Sequence, residues 1–295
     1  MDFLQIETEK FATIPNMTTH CLTIDIEDWY HSLPRSQWEE LTPRVETTTY
    51  KILNQLRTHK IKATFFVLGY IADRHPKMVE TITEDGHEIG IHGFDHQAAN
   101  RKSPTELASD ISAAIASVER VTGERPFLYR APAFSVDLNS EEMWRVIAEQ
   151  GITHDSSLYK SLTHQEEKIP RQPFQFGLRS GQVITEYPLY TTRYLGFNMP
   201  FNGGGYFRML PLKLTCACFH RQSQSSIFYI HPRDLDPGLP QIPSIGRLGN
   251  FKVRIGLKSA QNKFSQLLET VPFAPLLATY GMGTFPEVDL FSIRG

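Results

Sequence analysis

Short apolar runs alternate with amphipathic stretches along most of this chain, and that order confines it to a parallel sheet wrapped by helices. Cys21–Ile26, Ala63–Leu68 and Glu88–Ile91 read as core strands. Phe127–Arg130, Ile152–His154, Val183–Tyr187 and Ser226–Ile230 continue the series, which makes seven. Between them, Arg44–Lys60 carries Val45, Thr49, Ile52, Leu53 and Leu56 at helical spacing. Pro76–Asp85 opens on a proline suited to a first helical position and stops at Gly86; Ser140–Gln150 is closed by Gly151. The best-marked helix starts at Ser103-Pro104-Thr105-Glu106, which joins an N-cap serine, a first-turn proline and a capping-box glutamate. Leu107, Ile111, Ala114, Ile115 and Val118 form its apolar stripe, and Gly123 ends it. The expected class is α/β, as a barrel or an open sheet.

The chain's 295 residues suffice for a sizeable core. One domain over 20–295, preceded by an N-terminal extension over 1–19, is the expected organisation. The Pro- and Gly-rich stretches Asn198–Gly205 and Asp234–Gly249 read as long functional loops within it. A formal net charge of -2 excludes bulk attraction to nucleic acid, and no apolar run is long enough to span a bilayer. Residues 1–19 lack the basic start and apolar centre of a signal peptide, and Cys21, Cys216 and Cys218 read as small buried hydrophobes. A cytoplasmic location is the expectation.

Chemistry gathers where the strands end. The first runs into Asp25-Ile26-Glu27-Asp28; alternation puts Asp25 and Glu27 on one side, and a bend brings Asp28 in instead. The third runs into His92 and His96, two imidazoles able to face one cation if the chain between them coils. Others deliver Arg130, Asp155 and His231. Parallel strands present their carboxyl ends on one face, so five strands aim Asp, His, Arg, Asp and His at one mouth.

The ordered set T-I-D25-I-E-D, H92-G-F-D-H96, Y-R130-A-P-A-F-S, D155-S-S and I-F-Y-I-H231-P resembles the polysaccharide deacetylases, the chitin-deacetylase-like carbohydrate esterases. The likeness covers roughly residues 20 to 270 and is greatest to a branch with D-x-E-D in place of an adjacent Asp pair, associated with exopolysaccharide and O-antigen biosynthesis. Gly203–Pro211 and Lys263–Leu268 look similar to that branch too. The resemblance implies a distorted (β/α)7 barrel and a divalent metal held by one carboxylate and two histidines. His92 and His96 match the metal histidines, Asp25 matches the catalytic base, and Glu27 is preferred to Asp28 as the metal carboxylate. It also implies that Arg130 lies beside the base and Asp155 near the acid histidine.

The residue types suit that chemistry. Two neutral imidazoles and a carboxylate leave open coordination positions, as a catalytic site needs. Zinc fits such ligands, with cobalt, nickel and ferrous iron as alternatives. His231 is the expected acid for a leaving amine, and Tyr129, Pro132 and Phe134 are expected to shape a sugar cleft. The expected activity is metal-dependent removal of N-acetyl groups from an amino sugar of a polysaccharide or its precursor. Hydrolysis of a non-sugar amide and a catalytically silent carbohydrate-binding module are the competing readings.

Overall fold

β1 (His20–Ile26) is buried along its whole length, as a strand must be when both faces of its sheet are covered. The computed structural model describes residues 17–160, 169–190, 192–194, 197–199 and 201–291. From β1 the chain passes through α1 (Val45–His59), β2 (Thr64–Val67), α2 (Gly69–Arg74), α3 (Pro76–Glu84) and β3 (Glu88–Ile91). Then come α4 (Pro104–Thr122), β4 (Leu128–Tyr129), α5 (Glu141–Glu149) and β5 (His154–Asp155). A region of short strands follows: β6 (Tyr159–Lys160), β7 (Phe174–Gly177), β8 (Val183–Glu186), β9 (Leu189–Tyr190), β10 (Thr192–Tyr194) and β11 (Phe197–Met199). The chain closes with α6 (Gly204–Met209), α7 (Leu212–His220), β12 (Ile227–Ile230), α8 (Gly246–Arg254), α9 (Leu257–Thr270), β13 (Phe273–Ala274) and α10 (Leu276–Tyr280).

The main sheet runs β12-β1-β2-β3-β4-β5-β8-β7, with β13 added beside β1. The seven strands expected from sequence are β1, β2, β3, β4, β5, β8 and β12, and each of them pairs in parallel with its neighbour on this path. β7 pairs antiparallel with β8 and was not foreseen. Its sequence, Phe-Gln-Phe-Gly, lacks a β-branched residue, and only the hairpin partner makes it a strand. Among the described residues no ladder joins β7 to β12, so the curled sheet stays open there, the departure from a regular barrel that the word distorted implies.

Alternation along β1 sorts the core. Leu22, Ile24 and Ile26 pack with the helix-side cluster, whereas Cys21 joins the smaller cluster of Phe66, Leu128, Tyr187 and Ile227. Thr23 and Asp25 share the side of Cys21, so the first acid emerges at the carboxyl end of the sheet's inner face.

The α4 signals act as read. Ser103 Oγ accepts from Glu106 N at 3.3 Å, Ser103 N donates to Glu106 Oε2 at 2.8 Å, and Gly123 takes the left-handed conformation that closes the helix. Residues 234–249, read as a long loop, instead contain tight helical turns at Pro232–Leu235 and Pro243–Ile245 and the start of α8. His164 and most of the 1–19 extension lie outside the described residues.

Candidate active site

Past β1 the chain turns, with Glu27 N donating to Asp25 O at 3.1 Å, and the three acids part company. Asp28 is turned to the start of α1. Its Oδ2 accepts from Arg44 N at 2.7 Å and Val45 N at 3.0 Å, and its Oδ1 from Trp29 N at 2.8 Å. A carboxylate so engaged satisfies orphan donors at a helix N-terminus and is not the third member of the cluster described next.

Glu27, His92 and His96 each offer a donor atom, and these atoms lie within 4.8 Å of one another. His92 continues the ladder, its N donating to Val67 O at 2.9 Å. The chain then coils through Gly93 (φ 72) and His96 (φ 57), the turn needed to bring a second imidazole back. Gly69 N and Tyr70 N donate to Gly93 O and Phe94 O, and Asp110 Oδ2 accepts from Phe94 N, so the loop is held from α2 and α4. The His92 Nδ1–H donates to Arg130 O at 2.8 Å, which leaves Nε2 for the cluster. Burial lowers the His92 pKa to about 4, so this ring is neutral near pH 7.

Glu27 is fully buried, and neither oxygen has a hydrogen bond. Basic side chains surround it instead: His96 Nε2 sits against Oε2, Arg233 Nη2 lies 3.0 Å from Oε1, and His231 Nε2 lies 3.6 Å from Oε1. Burial alone would raise this carboxyl, but Arg233, His96 and His231 outweigh it and hold the pKa well below the ordinary value.

Asp25 and His231 complete the centre. Arg130, itself fully buried, donates from Nη1 to Asp25 Oδ1 at 2.8 Å and to Thr23 Oγ1 at 2.8 Å, while its Nε and Nη2 hold Ser156 O and Oγ. The guanidinium also lies 4.1 Å from the Phe66 ring centroid. His231 Nε2 lies 3.9 Å from Asp25 Oδ2. Its Nδ1 meets Asp234 Oδ2 at 2.9 Å, and its backbone N donates to the same oxygen at 2.9 Å. Burial and Arg233 push His231 toward the neutral form, but Glu27 and Asp234 prevail and raise its pKa.

Asp155 is therefore not the carboxylate on His231. Its Oδ1 accepts from Ser157 N at 2.8 Å and its Oδ2 from Ser157 Oγ at 2.9 Å; Ser157 Oγ in turn accepts from Ala131 N. Burial, together with the two carboxyls facing each other, raises both Asp155 and Glu186 above the ordinary carboxylate range. The pair braces the strand ends that carry Arg130.

Sequence reasoning passed over Asp234, Arg233, Arg208 and Glu186. One signal was available: His231-Pro-Arg-Asp234 sets proline at a first helical position and an acid at the third, and the structure forms a capping box there. Arg208 Nε lies 3.3 Å from Asp234 Oδ1. A Cβ on Gly204 would fall 1.9 Å from Asp234 Oδ2, so the glycine run within the stretch read as a long functional loop is where α6 closes onto Asp234. Tyr129 is wholly buried in the core and forms no exposed cleft wall; Pro132 is buried as well. Phe134 is partly exposed, has a φ of 54°, and packs 5.1 Å from both Tyr159 and Tyr229. Two consecutive left-handed non-glycine residues, Ala133 and Phe134, mark stored strain beside Arg130.

Residues 22–154 match the family model described as polysaccharide deacetylase, and residues 156–280 match a domain of unknown function, DUF3473. A peptidoglycan-N-acetylglucosamine deacetylase of Bacillus cereus is 37% identical over 86 residues, 29% of this chain and 40% of that protein. The peptidoglycan-N-acetylglucosamine deacetylase PgdA of Listeria monocytogenes is 26% identical over 147 residues, 50% of this chain and 30% of that protein. The matches thus span well under half of these relatives. Among solved structures, the Bc1960 peptidoglycan N-acetylglucosamine deacetylase is 18% identical, with a TM-score of 0.52 over 92% of this chain and 91% of that one, a likeness of fold. Residues 22–154 are thus similar to the polysaccharide deacetylases, over less than half of this chain.

Proposed function

We propose that this protein is a metal-dependent hydrolase that removes N-acetyl groups from an amino sugar of a polysaccharide or its precursor. One observation carries the reading: Asp25 and His231 face each other across 3.9 Å beside a Glu27, His92 and His96 cluster with its donors gathered. The cluster suits a divalent ion. Both Glu27 oxygens are buried without hydrogen bonds, and the His92 ring is neutral with Nε2 left free. When bound, such an ion, zinc by the nitrogen and oxygen character of the set, would lower the pKa of a bound water to about 7 and polarise the acetamido carbonyl.

The remaining steps belong to the chain. Arg130 pins Asp25 Oδ1 and leaves Oδ2 on the side of His231, placed to take the proton of the attacking water. Glu27 and Asp234 favour the protonated form of His231, and its Nε2 proton goes to the amine as the C–N bond breaks, giving acetate and the free amino sugar. The partly exposed Phe134, against Tyr159 and Tyr229, offers an aromatic surface for a sugar ring. The D-x-E-D pattern supports a substrate in exopolysaccharide or O-antigen synthesis, and a cytosolic lipid- or nucleotide-linked intermediate belongs to the same proposal. Acetate release by metal-loaded protein across mono-, oligo- and carrier-linked N-acetyl amino sugars tests it. Release of amine from small amides alone would move the substrate outside carbohydrates.

Arg233 favours a second reading. Its guanidinium, 3.0 Å from Glu27, can neutralise that carboxylate without any ion, as a catalytically silent carbohydrate-binding protein would require. Metal analysis separates the two: a protein that takes up no divalent ion and gains no activity on its addition is the silent form.

A further inference from the structure

α8 is a helix none of whose residues is buried. Polar anchors hold it instead. Asn250 Oδ1 accepts from Ile242 N at 2.7 Å, and its Nδ2 donates to Ile242 O and Gly246 O. At the other end Arg208 Nη1 donates to Val253 O at 2.7 Å and Ile255 O at 3.0 Å. The helix is thus fastened beside the residues that hold His231, with only the half-buried Val253 packed on the core.

Its outer face is nevertheless apolar. Ile245, Leu248 and Phe251 follow one another at three-residue spacing, which lines them along one side of a helix, and they are 39%, 69% and 64% exposed. Arg247 and Lys252, both exposed, flank this ridge on opposite sides, and Arg254 lies on the Arg247 side. Between Asp236 and Glu269 the sequence has no carboxylate but carries Arg247, Lys252, Arg254, Lys258 and Lys263, in a chain whose formal net charge is -2. A cleft of about 660 Å³ lined by Gln241, Arg247, Asn250, Phe251 and Arg254 opens beside the ridge. Exposed Met209 and Tyr206 on α6, which Arg208 ties to the same helix, add apolar surface.

We propose that α8 is an interfacial helix by which this protein docks on an anionic phospholipid surface. Leu248 and Phe251 enter the acyl boundary, Arg247 and Lys252 meet lipid phosphates on either side, and the cleft admits a headgroup between Arg247 and Arg254. An apolar ridge bordered by cations and free of acids is the pattern such helices share. This inference stands apart from the chemistry at Glu27, His92 and His96 and does not need it.

The test is co-sedimentation of the full chain with vesicles of phosphatidylglycerol and phosphatidylcholine in equal parts, against phosphatidylcholine alone. Binding to the anionic vesicles only is expected, falling as salt is raised. Arg247→Gln with Lys252→Gln is expected to weaken it about 30-fold. Leu248→Ser with Phe251→Ser is expected to weaken it at least about tenfold, with the melting temperature unchanged because neither side chain is buried. No binding to anionic vesicles, or binding that both double variants retain, would overturn the proposal. So would a concentration-dependent dimer, seen by sedimentation, that Leu248→Ser with Phe251→Ser dissolves, since the ridge would then belong to a second copy.

Discussion

The carboxylate on His231 Nδ1 belongs to Asp234, three residues along, and Arg208 lies against its other oxygen. Asp234→Asn keeps the shape and removes the charge that helps hold His231 protonated. The expected result is a fall in kcat of about 10²-fold, with the alkaline limb of the pH–rate profile moved to lower pH because the acid loses its proton sooner. A rate profile recorded with metal content held equal checks it; an unmoved alkaline limb would mean that His231 is not the acid. Two further substitutions divide the centre. His92→Ala removes a ring whose Nε2 faces the cluster and is expected to weaken metal uptake, whereas Asp25→Asn is expected to keep the metal and lose turnover, about 10²-fold or more. Full turnover in the Asp25 variant would remove it from the role of base. At this scale the readable residues were those standing at strand ends in a fixed order: Asp25, Arg130, His92, His96 and His231. The partner of His231 was not readable in the same way. Asp155 ends β5 and Asp234 follows β12, and only tertiary placement puts one against Ser157 and the other against the histidine.

Local chemistry wrote several elements plainly, while others exist only by pairing. The Ser103 capping box and Gly123 bracket α4 because their hydrogen bonds reach only three or four residues. The two-residue strands β4, β5, β6 and β13 need a distant neighbour that no window of sequence contains, and β7 depends on the hairpin with β8 rather than on its own residues. Asp28 shows the same limit, since it closes α1 from sixteen residues away through Arg44 N. Asp28→Ala is therefore expected to destabilise the fold by about 2 kcal/mol, the upper range for a lost cap, and to leave metal binding intact. Glu27→Ala should do the reverse, and metal titration beside chemical denaturation of the two variants separates ligand from cap. Gly204→Ala tests the closure of α6 on Asp234. A methyl group 1.9 Å from Asp234 Oδ2 must move that carboxylate or the helix. Lost turnover with retained metal is expected; unchanged turnover would show that α6 yields without disturbing His231.

Across the whole molecule, three buried histidines share one arrangement. Nδ1 of His20 accepts from Ser226 N at 3.2 Å, that of His31 from Asp28 N at 2.9 Å, and that of His87 from Ala63 N at 3.1 Å. A ring nitrogen that accepts a backbone N–H cannot also carry a proton, so each ring is neutral at that atom in the fold. Burial lowers the pKa to about 4 for His20 and His87 and to about 3 for His31, against an ordinary 6.5. Between those values the unfolded chain binds protons that the folded chain refuses. Stability is then full above pH 6.5 and falls as the pH drops from 6.5 toward 4, with His31 extending the loss toward 3. The His20 and His87 rings tie segments beside β12 and β1 and beside β2 and β3, whereas the His31 ring closes the turn that follows β1. The midpoint of urea unfolding is expected to decline already between pH 6.5 and about 5, above the range in which ordinary carboxylates mainly titrate. His20→Gln with His87→Gln keeps a side-chain acceptor that does not take up a proton in this range, and should flatten the decline. An equally steep slope in that double variant would trace acid sensitivity to other groups.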